Sequence, residues 1–183
     1  MYVVRSVMQL SRTIITTPLD DMLALSSDSG LCALEFTGPR RRLPRLDARL
    51  RRWFPPHDIV DADSPVIRRT REWLRAYFAG EHADASLIPL DMRGAPFELT
   101  VWTALRAIPP GTTTSYGAIA RAVGSPGAAR AVGAANGANP IAIVVPCHRV
   151  IGASGSLTGY GGGLDKKTWL IDHERRWRAD RLF

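Results

Sequence analysis

Apolar residues in this chain recur at two different spacings, and the switches between them mark out its elements. Residues 13–16 are β-branched and read as a strand. Residues 23–25 and 31–36 read as two more, separated by the turn signal Asp28-Ser29-Gly30 and closed by Gly38-Pro39. Val66, Trp73, Leu74, Tyr77 and Phe78 then fall near helical spacing, which predicts a helix over 66–78 with Ser64-Pro65 as cap and first turn and Gly80 as its stop. Phe97, Val101, Leu105 and Ile108 predict a second amphipathic helix, ended by Pro109-Pro110-Gly111. Ser115 is placed to cap a short helix over 116–123, and Ser125-Pro126 to begin another reaching about residue 136. Two short helices joined by a tight glycine-containing turn predict a helix-turn-helix. The apolar run 141–145, bounded by Asn139-Pro140 and Pro146, predicts a buried strand. A glycine-rich loop, 152–163, leads to a last helix over about 165–176. No internal repeat is evident. This order predicts an α/β N-terminal domain over 1–85, a connector over 86–95, and a mainly helical C-terminal domain over 96–183.

Composition narrows the class. The chain has 183 residues, 45% of them hydrophobic, enough to build a core. No apolar run approaches the roughly 18 residues of a membrane helix, and residues 1–15, broken by Arg5, Gln9 and Arg12, lack the apolar block of a secretory signal. An integral membrane protein is not expected. The net charge of +7 points to a polyanionic partner. Residues 1–94 hold 14 Lys/Arg against 12 Asp/Glu, and 95–183 hold 10 against 5. Arg40, Arg41, Arg42, Arg45, Arg49, Arg51 and Arg52 crowd one stretch. The favoured reading of that run is a solvated loop entering a helix that packs through Leu46, Leu50 and Trp53; the other is a phosphate-binding patch.

The second helix of the predicted pair is notable for what it lacks. Residues 128–135 carry five alanines, one glycine, one valine and only one long polar side chain, Arg130. A major-groove reader needs several Arg, Asn or Gln side chains to reach base edges. This helix offers instead a thin surface, suited to a narrow groove and to little sequence preference.

Cys32 and Cys147 are the only cysteines, so no disulfide scaffold exists and a reducing compartment is expected. Their spacing to His57, His82, His148 and His173 is not of the zinc type, and no metal is expected. Cys147 and His148 fall where the chain leaves the apolar run. A thiol near pKa 8.5 needs a base or a positive neighbour to act as a nucleophile at neutral pH, and His148 or Arg149 would supply it. Alone, a Cys-His dipeptide is more often inert core.

The motif Pro146-Cys147-His148-Arg149-Val150 resembles the active-site signature of the O6-alkylguanine-DNA alkyltransferases. The likeness runs through Ser115-Tyr116, the stretch Ala128-Ala129-Arg130-Ala131-Val132-Gly133, Asn139-Pro140, Tyr160-Gly161-Gly162-Gly163 and His173-Glu174, over about residues 90–176. It implies a ribonuclease H-like N-terminal domain and a winged-helix-like C-terminal one. It also implies direct-reversal repair, in which Cys147 irreversibly accepts, once, the alkyl group of O6-alkylguanine or O4-alkylthymine in duplex DNA. On the same resemblance His148 is a general base acting through a water, oriented by Glu174, and Asn139 braces the active-site turn. Tyr116 contacts the flipped base, and the backbones of Cys147, Val150, Tyr160 and Gly161 line the guanine pocket. Arg130 fills the gap left in the duplex, with Ser115, Tyr116, Ala129 and Gly133 along the DNA. No cofactor is implied. The expected partner is duplex DNA containing alkylated bases, with no membrane, and the expected state is a monomer in solution, cytoplasmic or nucleoid-associated; single copies or several clustered copies on DNA both stay open. Gly161 stands where many relatives have Ser, and Asn136 where many have a larger residue.

Two other classes compete. A non-catalytic module that binds alkylated DNA and recruits other factors would lack the cysteine. A helix-turn-helix transcription regulator would carry base-reading side chains over 126–136.

Overall fold

A computed structural model of the chain describes residues 7–38, 42–81 and 84–179. It is a mixed α/β structure. Strands β1 (Met8–Ile15), β2 (Met22–Ser26), β3 (Leu31–Phe36) and β4 (His57–Asp61) form a sheet in the order β3-β2-β1-β4, antiparallel except for the parallel β1–β4 pair. β4 was not visible in the apolar pattern. It is an edge strand whose residues are all at least partly exposed, so burial left no alternation to read.

Side-chain alternation along the strands builds two cores. Met22, Ala24, Leu34 and Phe36 face helix α2 (Pro65–Ala79) and the rest of the molecule. Leu10, Leu25 and Ala33 face Leu46 and Leu50 of helix α1 (Arg42–Trp53) and Phe54 just past its end. α2 begins as its sequence predicts: Ser64 Oγ accepts the Ile67 N–H at 3.1 Å and Pro65 occupies the first turn. Gly80, at φ 82°, closes it in the left-handed conformation that glycine adopts freely.

The described part of the basic run is helix α1, which packs through the expected residues. Leu46 and Leu50 are buried and Trp53 half-buried, while Arg45, Arg51 and Arg52 are exposed. Arg49 is the exception to a solvated face. Its Nη2 donates to Glu98 Oε2 at 3.1 Å and to the Arg93 carbonyl at 3.0 Å, and its guanidinium lies 4.6 Å from the Trp102 ring. Arg40, Arg41 and the Arg42 side chain lie outside the described residues.

Helices α3 (Pro96–Arg106), α4 (Tyr116–Ala122), α5 (Ala129–Gly137) and α6 (Leu164–Ala179) complete the molecule. Trp102 on α3 is fully buried and donates its indole N–H to the Ala135 carbonyl of α5 at 2.8 Å. The α4–α5 pair departs from expectation in one respect: α5 starts at Ala129, not at Ser125-Pro126. Gly124, at φ 73°, ends α4, and its N–H and that of Ser125 bond back to Arg121 and Ala120. The Ser125 carbonyl then accepts the Ala128 N–H at 2.9 Å, so Ser125-Pro126 opens a turn and α5 begins after it.

The segment 141–145 is a second correction: it is a compact turn, not a strand. Only Ile141 bridges a neighbour, Leu34 on the edge of β3. The Val145 N–H then bonds back to the Ile141 carbonyl at 3.0 Å, and Ile143 sits at φ 67°. Asn139 explains why. Its Nδ2 donates to both the Ile141 carbonyl (3.3 Å) and the Val145 carbonyl (2.8 Å), while its Oδ1 accepts the Ile141 N–H (3.0 Å). In a strand those two carbonyls would stand about 13 Å apart, beyond the reach of one amide.

Candidate active site and nucleic-acid interface

The turn delivers Pro146 and then a single 3-10 turn, Cys147–Arg149, in which all three residues are buried. Strand β6 (Val150–Ile151) follows and pairs in parallel with β5 (Thr114–Ser115). This two-rung ladder fixes Ser115 and Tyr116, at the start of α4, against the residues just past Cys147. Ser115 Oγ also caps α4 by accepting the Ala118 N–H at 3.1 Å.

Behind Cys147 lies a carboxylate with five donors. Glu174 Oε1 accepts from His148 Nε2, from Arg149 Nη2 and from the Tyr77 hydroxyl, each at 2.8 Å. Oε2 accepts from Arg149 Nε at 2.9 Å and from the Gly111 N–H at 3.0 Å. Burial alone would raise this carboxyl, but His148 and Arg149 outweigh it and hold Glu174 well below the usual carboxylate range. His148 is completely buried, and that burial lowers its pKa despite the pull of Glu174. Arg149 already supplies the positive partner, so the imidazole is neutral at rest. A carboxylate can only accept, so His148 Nε2 carries the hydrogen and Nδ1 carries the lone pair. Nδ1 has no hydrogen-bond partner among the described residues. The arrangement therefore presents an oriented neutral base one residue from a thiol.

Arg149 was a candidate helper of Cys147 in the sequence. The structure gives it to Glu174 and to the Ile108 carbonyl instead. Tyr77, on α2, was not singled out, because nothing in the sequence ties it to a residue 97 positions away. Lys167 was missed as well. It is fully buried and its Nζ donates to the Val150 carbonyl at 2.6 Å and the Thr158 carbonyl at 2.7 Å. Burial lowers its pKa, and Cys147 acts in the opposite direction. A readable signal existed: Lys167 and Glu174 lie seven residues apart on one helical face, with Leu170 and Ile171 between.

The residues expected to line a base pocket surround this centre. The Cys147 carbonyl takes the Val150 N–H and, at 3.3 Å, Asn136 Nδ2. The Tyr160 ring stands edge-on to His148 with centroids 6.5 Å apart. Gly161 follows in the turn before α6, and at Gly162 a Cβ would come within 2.8 Å of both Phe36 and Tyr160. That close approach requires glycine. Cys32 plays no part here. It is buried between the sheet and α1, and burial pushes its thiol up to about 11.

Ser115, Tyr116, Ala129, Arg130 and Gly133 line one open groove of about 670 Å³ together with Gly117, Arg121 and Ala153. Arg130 is exposed, while Val132, Ala135 and Asn136 turn inward. The outward face of α5 is thus nearly bare of side chains. Among the described residues no helix is long and apolar enough to cross a membrane, and no group of three metal-ligating side chains converges.

Residues 96–176 match the family model described as 6-O-methylguanine DNA methyltransferase, DNA binding domain. A methylated-DNA–protein-cysteine methyltransferase of Mycobacterium bovis is 62% identical over 148 residues, 81% of this chain and 89% of that protein. One from Salmonella typhimurium is 45% identical over 161 residues, 87% of this chain and 92% of that protein. For the Mycolicibacterium paratuberculosis protein of the same name the match is 67% over 105 residues and spans 63% of that protein. The crystal structure of the Mycobacterium tuberculosis O6-methylguanine methyltransferase superposes with a TM-score of 0.73 at 42% identity, covering 91% of this chain and 93% of that one. A structure of the same M. tuberculosis protein in complex with DNA gives 0.72 at 42% identity, covering 92% and 94%. The chain therefore belongs to the methylated-DNA–protein-cysteine methyltransferase family.

Proposed function

We propose that the protein repairs O6-alkylguanine, and O4-alkylthymine, in duplex DNA by transferring the alkyl group to Cys147. It is a methyltransferase of direct-reversal DNA repair. The observation that carries the residue assignment is the Cys147–His148–Glu174 arrangement: a thiol, a neutral imidazole with a free lone pair, and a carboxylate that fixes the ring. His148 Nδ1 takes the thiol proton through a water. The sulfur attacks the alkyl carbon in line, the S–C bond forms as the C–O6 bond breaks, and the proton returns to the guanine as it leaves. A thioether has no easy leaving route, so each molecule acts once.

A base stacked in a duplex cannot reach a thiol that is 4% exposed. The target nucleotide must therefore be flipped out, at a cost of a few kcal/mol. Arg130 is the plug that replaces it, and the thin face of α5 lies in the minor groove. Ser115, Tyr116, Ala129 and Gly133 follow the DNA. Val150, Tyr160 and Gly161 hold the base, and Asn139 holds the turn that presents Cys147. Residues 1–85 act as a ribonuclease H-like support joined through 86–95 to a winged-helix-like domain over 96–183. The β3 edge supports this role, because Leu34 bonds Pro140 and Ala142 across the active-site turn. The protein works in the cytoplasm or on the nucleoid, as a monomer in solution.

A duplex carrying labelled O6-methylguanine tests the assignment. One methyl per protein, on Cys147, is expected; transfer surviving Cys147→Ala, or an adduct elsewhere, overturns it.

A further inference from the structure

Two grooves border α5 and meet at Gly133, one along its N-terminal residues and one along its C-terminal half. One is the groove already described, where Arg121 of α4 joins Arg130. The other, of about 370 Å³, runs between α1 and the C-terminal half of α5 and is lined by Glu35, Arg45, Leu46, Arg49, Ala134, Gly137, Ala138 and Pro140 as well as Gly133. Besides Arg130, the first groove contains Arg121 and the second Arg45, each exposed and without an ion pair or hydrogen bond to a described residue. Arg49, by contrast, is engaged by Glu98, and Glu35 is buried at 5% exposure.

Arg121 folds back along α4 over the residue one turn before it: a Cβ at Gly117 would lie 3.8 Å from Arg121 Nη1 and 3.9 Å from Ser115 Oγ, ordinary contact distances. On α5 itself Gly133 leaves space against the Tyr116 ring, whose nearest atoms would lie 3.8 Å from a Cβ. The helix is therefore narrow where the two grooves meet.

We propose that Arg121 and Arg45 bind the two phosphodiester backbones of the duplex, one on each side of α5. The proposal rests on the reading that α5 enters the minor groove, and it says what holds the DNA once it does. A minor groove is about 6 Å wide and walled by the two backbones. A helix seated in it must have one backbone along each flank, and Arg121 on α4 and Arg45 on α1 approach α5 from two different neighbouring helices. α5 has a single cation, Arg130, and that residue is assigned to the gap in the stack, so the phosphate charge has to be met from the flanks. The structure thus gives Arg45, within the basic run of α1, a role distinct from that of Arg49.

The test is the salt dependence of binding to an undamaged duplex, measured on the full chain. Arg121→Ala and Arg45→Ala should each make the slope of log K against log salt shallower by about 0.9. The affinity ratio between 50 and 200 mM salt then shrinks about 3.5-fold for each arginine removed. Arg121→Lys and Arg45→Lys should keep the wild-type slope, since a phosphate contact needs the charge. Arg75→Ala, an exposed arginine on α2, should also keep it, and transfer from free O6-benzylguanine should be unchanged in all variants. An unchanged slope in either alanine variant, an equal shift in Arg75→Ala, or a parallel loss of free-base transfer overturns the proposal. Failure of the wild-type protein to transfer alkyl groups would sink the repair reading while leaving these slopes to judge the DNA contacts.

Discussion

Lys167 and Glu174 stand two turns apart on the same face of α6 and grip the chain immediately after Cys147, one through the Val150 carbonyl and the other through His148. The lysine's charge is buried beside a thiol, and Cys147 works against the fall in its pKa. The interaction is reciprocal: a cation that a thiolate stabilises must itself favour the thiolate.

Lys167→Met is therefore expected to move the pH midpoint of Cys147 alkylation by iodoacetamide upward, and to slow alkyl transfer at pH 7 by about tenfold. It also strands two carbonyls, at about 1–3 kcal/mol each. An unchanged alkylation profile alongside a lowered Tm would leave Lys167 with a purely structural role.

Glu174→Gln keeps the volume but turns an amide toward donors that have nowhere else to go. Removing the charge leaves the buried Arg149 guanidinium uncompensated, a change worth about 3–5 kcal/mol. In a chain of this size that lowers Tm by roughly 10 °C. The amide also frees the His148 ring from its fixed tautomer, so transfer should fall by about 100-fold or more. Tyr77→Phe, which removes just one of the five donors, should cost about 1 kcal/mol. Equal Tm losses in the two variants would show that the carboxylate's charge is unimportant.

Stability should also depend on pH through His148. Burial depresses its pKa below the ordinary value of 6.5. Below about pH 6.5 the unfolded chain binds a proton that the folded one refuses, so stability is complete above that value and is lost progressively as pH falls toward the depressed one. Transfer declines in the same direction as Nδ1 is protonated. Glu174, also depressed, is fully effective above the ordinary carboxylate range and loses its contribution only at lower pH. Thermal unfolding at pH 7.5 and 5.5 checks this, with His148→Gln as the control whose difference should shrink. A wild-type Tm that is flat or rises on acidification contradicts the buried neutral imidazole.

Local signals were legible wherever one residue acts on its near neighbours. Ser64, Ser115 and Gly80 end helices through hydrogen bonds and dihedrals within a few positions of themselves, and all three were readable. The turn at 141–145 was not, because its five apolar residues match a strand, and the deciding interaction is an Asn139 amide that joins carbonyls four residues apart. β4 was hidden because it is an exposed edge. At the site, Cys147, His148 and Glu174 came from the family motif. Tyr77 and the Gly111 N–H reach Glu174 from distant chain segments, and only the folded packing brings them there. Arg49 was misread with its neighbours because a run of like charge looks solvated until one member finds Glu98.

On the proposed reading, Arg130 serves DNA handling and not the chemistry. It is the one long side chain on the outward face of α5, it is exposed, and it makes no bond to the catalytic cluster. Arg130→Ala would remove the proposed plug, which balances an unstacking cost of a few kcal/mol, without touching Cys147, His148 or Glu174. Repair of O6-methylguanine in duplex DNA should fall by about 10- to 100-fold, while transfer from free O6-benzylguanine, which needs no flipping, should keep its wild-type rate. The ratio of the two rates is the measurement. If both fall together, Arg130 supports the fold. If neither falls, the extruded base leaves a gap that the small residues of α5 tolerate on their own, and the narrowness of the helix matters more to flipping than its single cation.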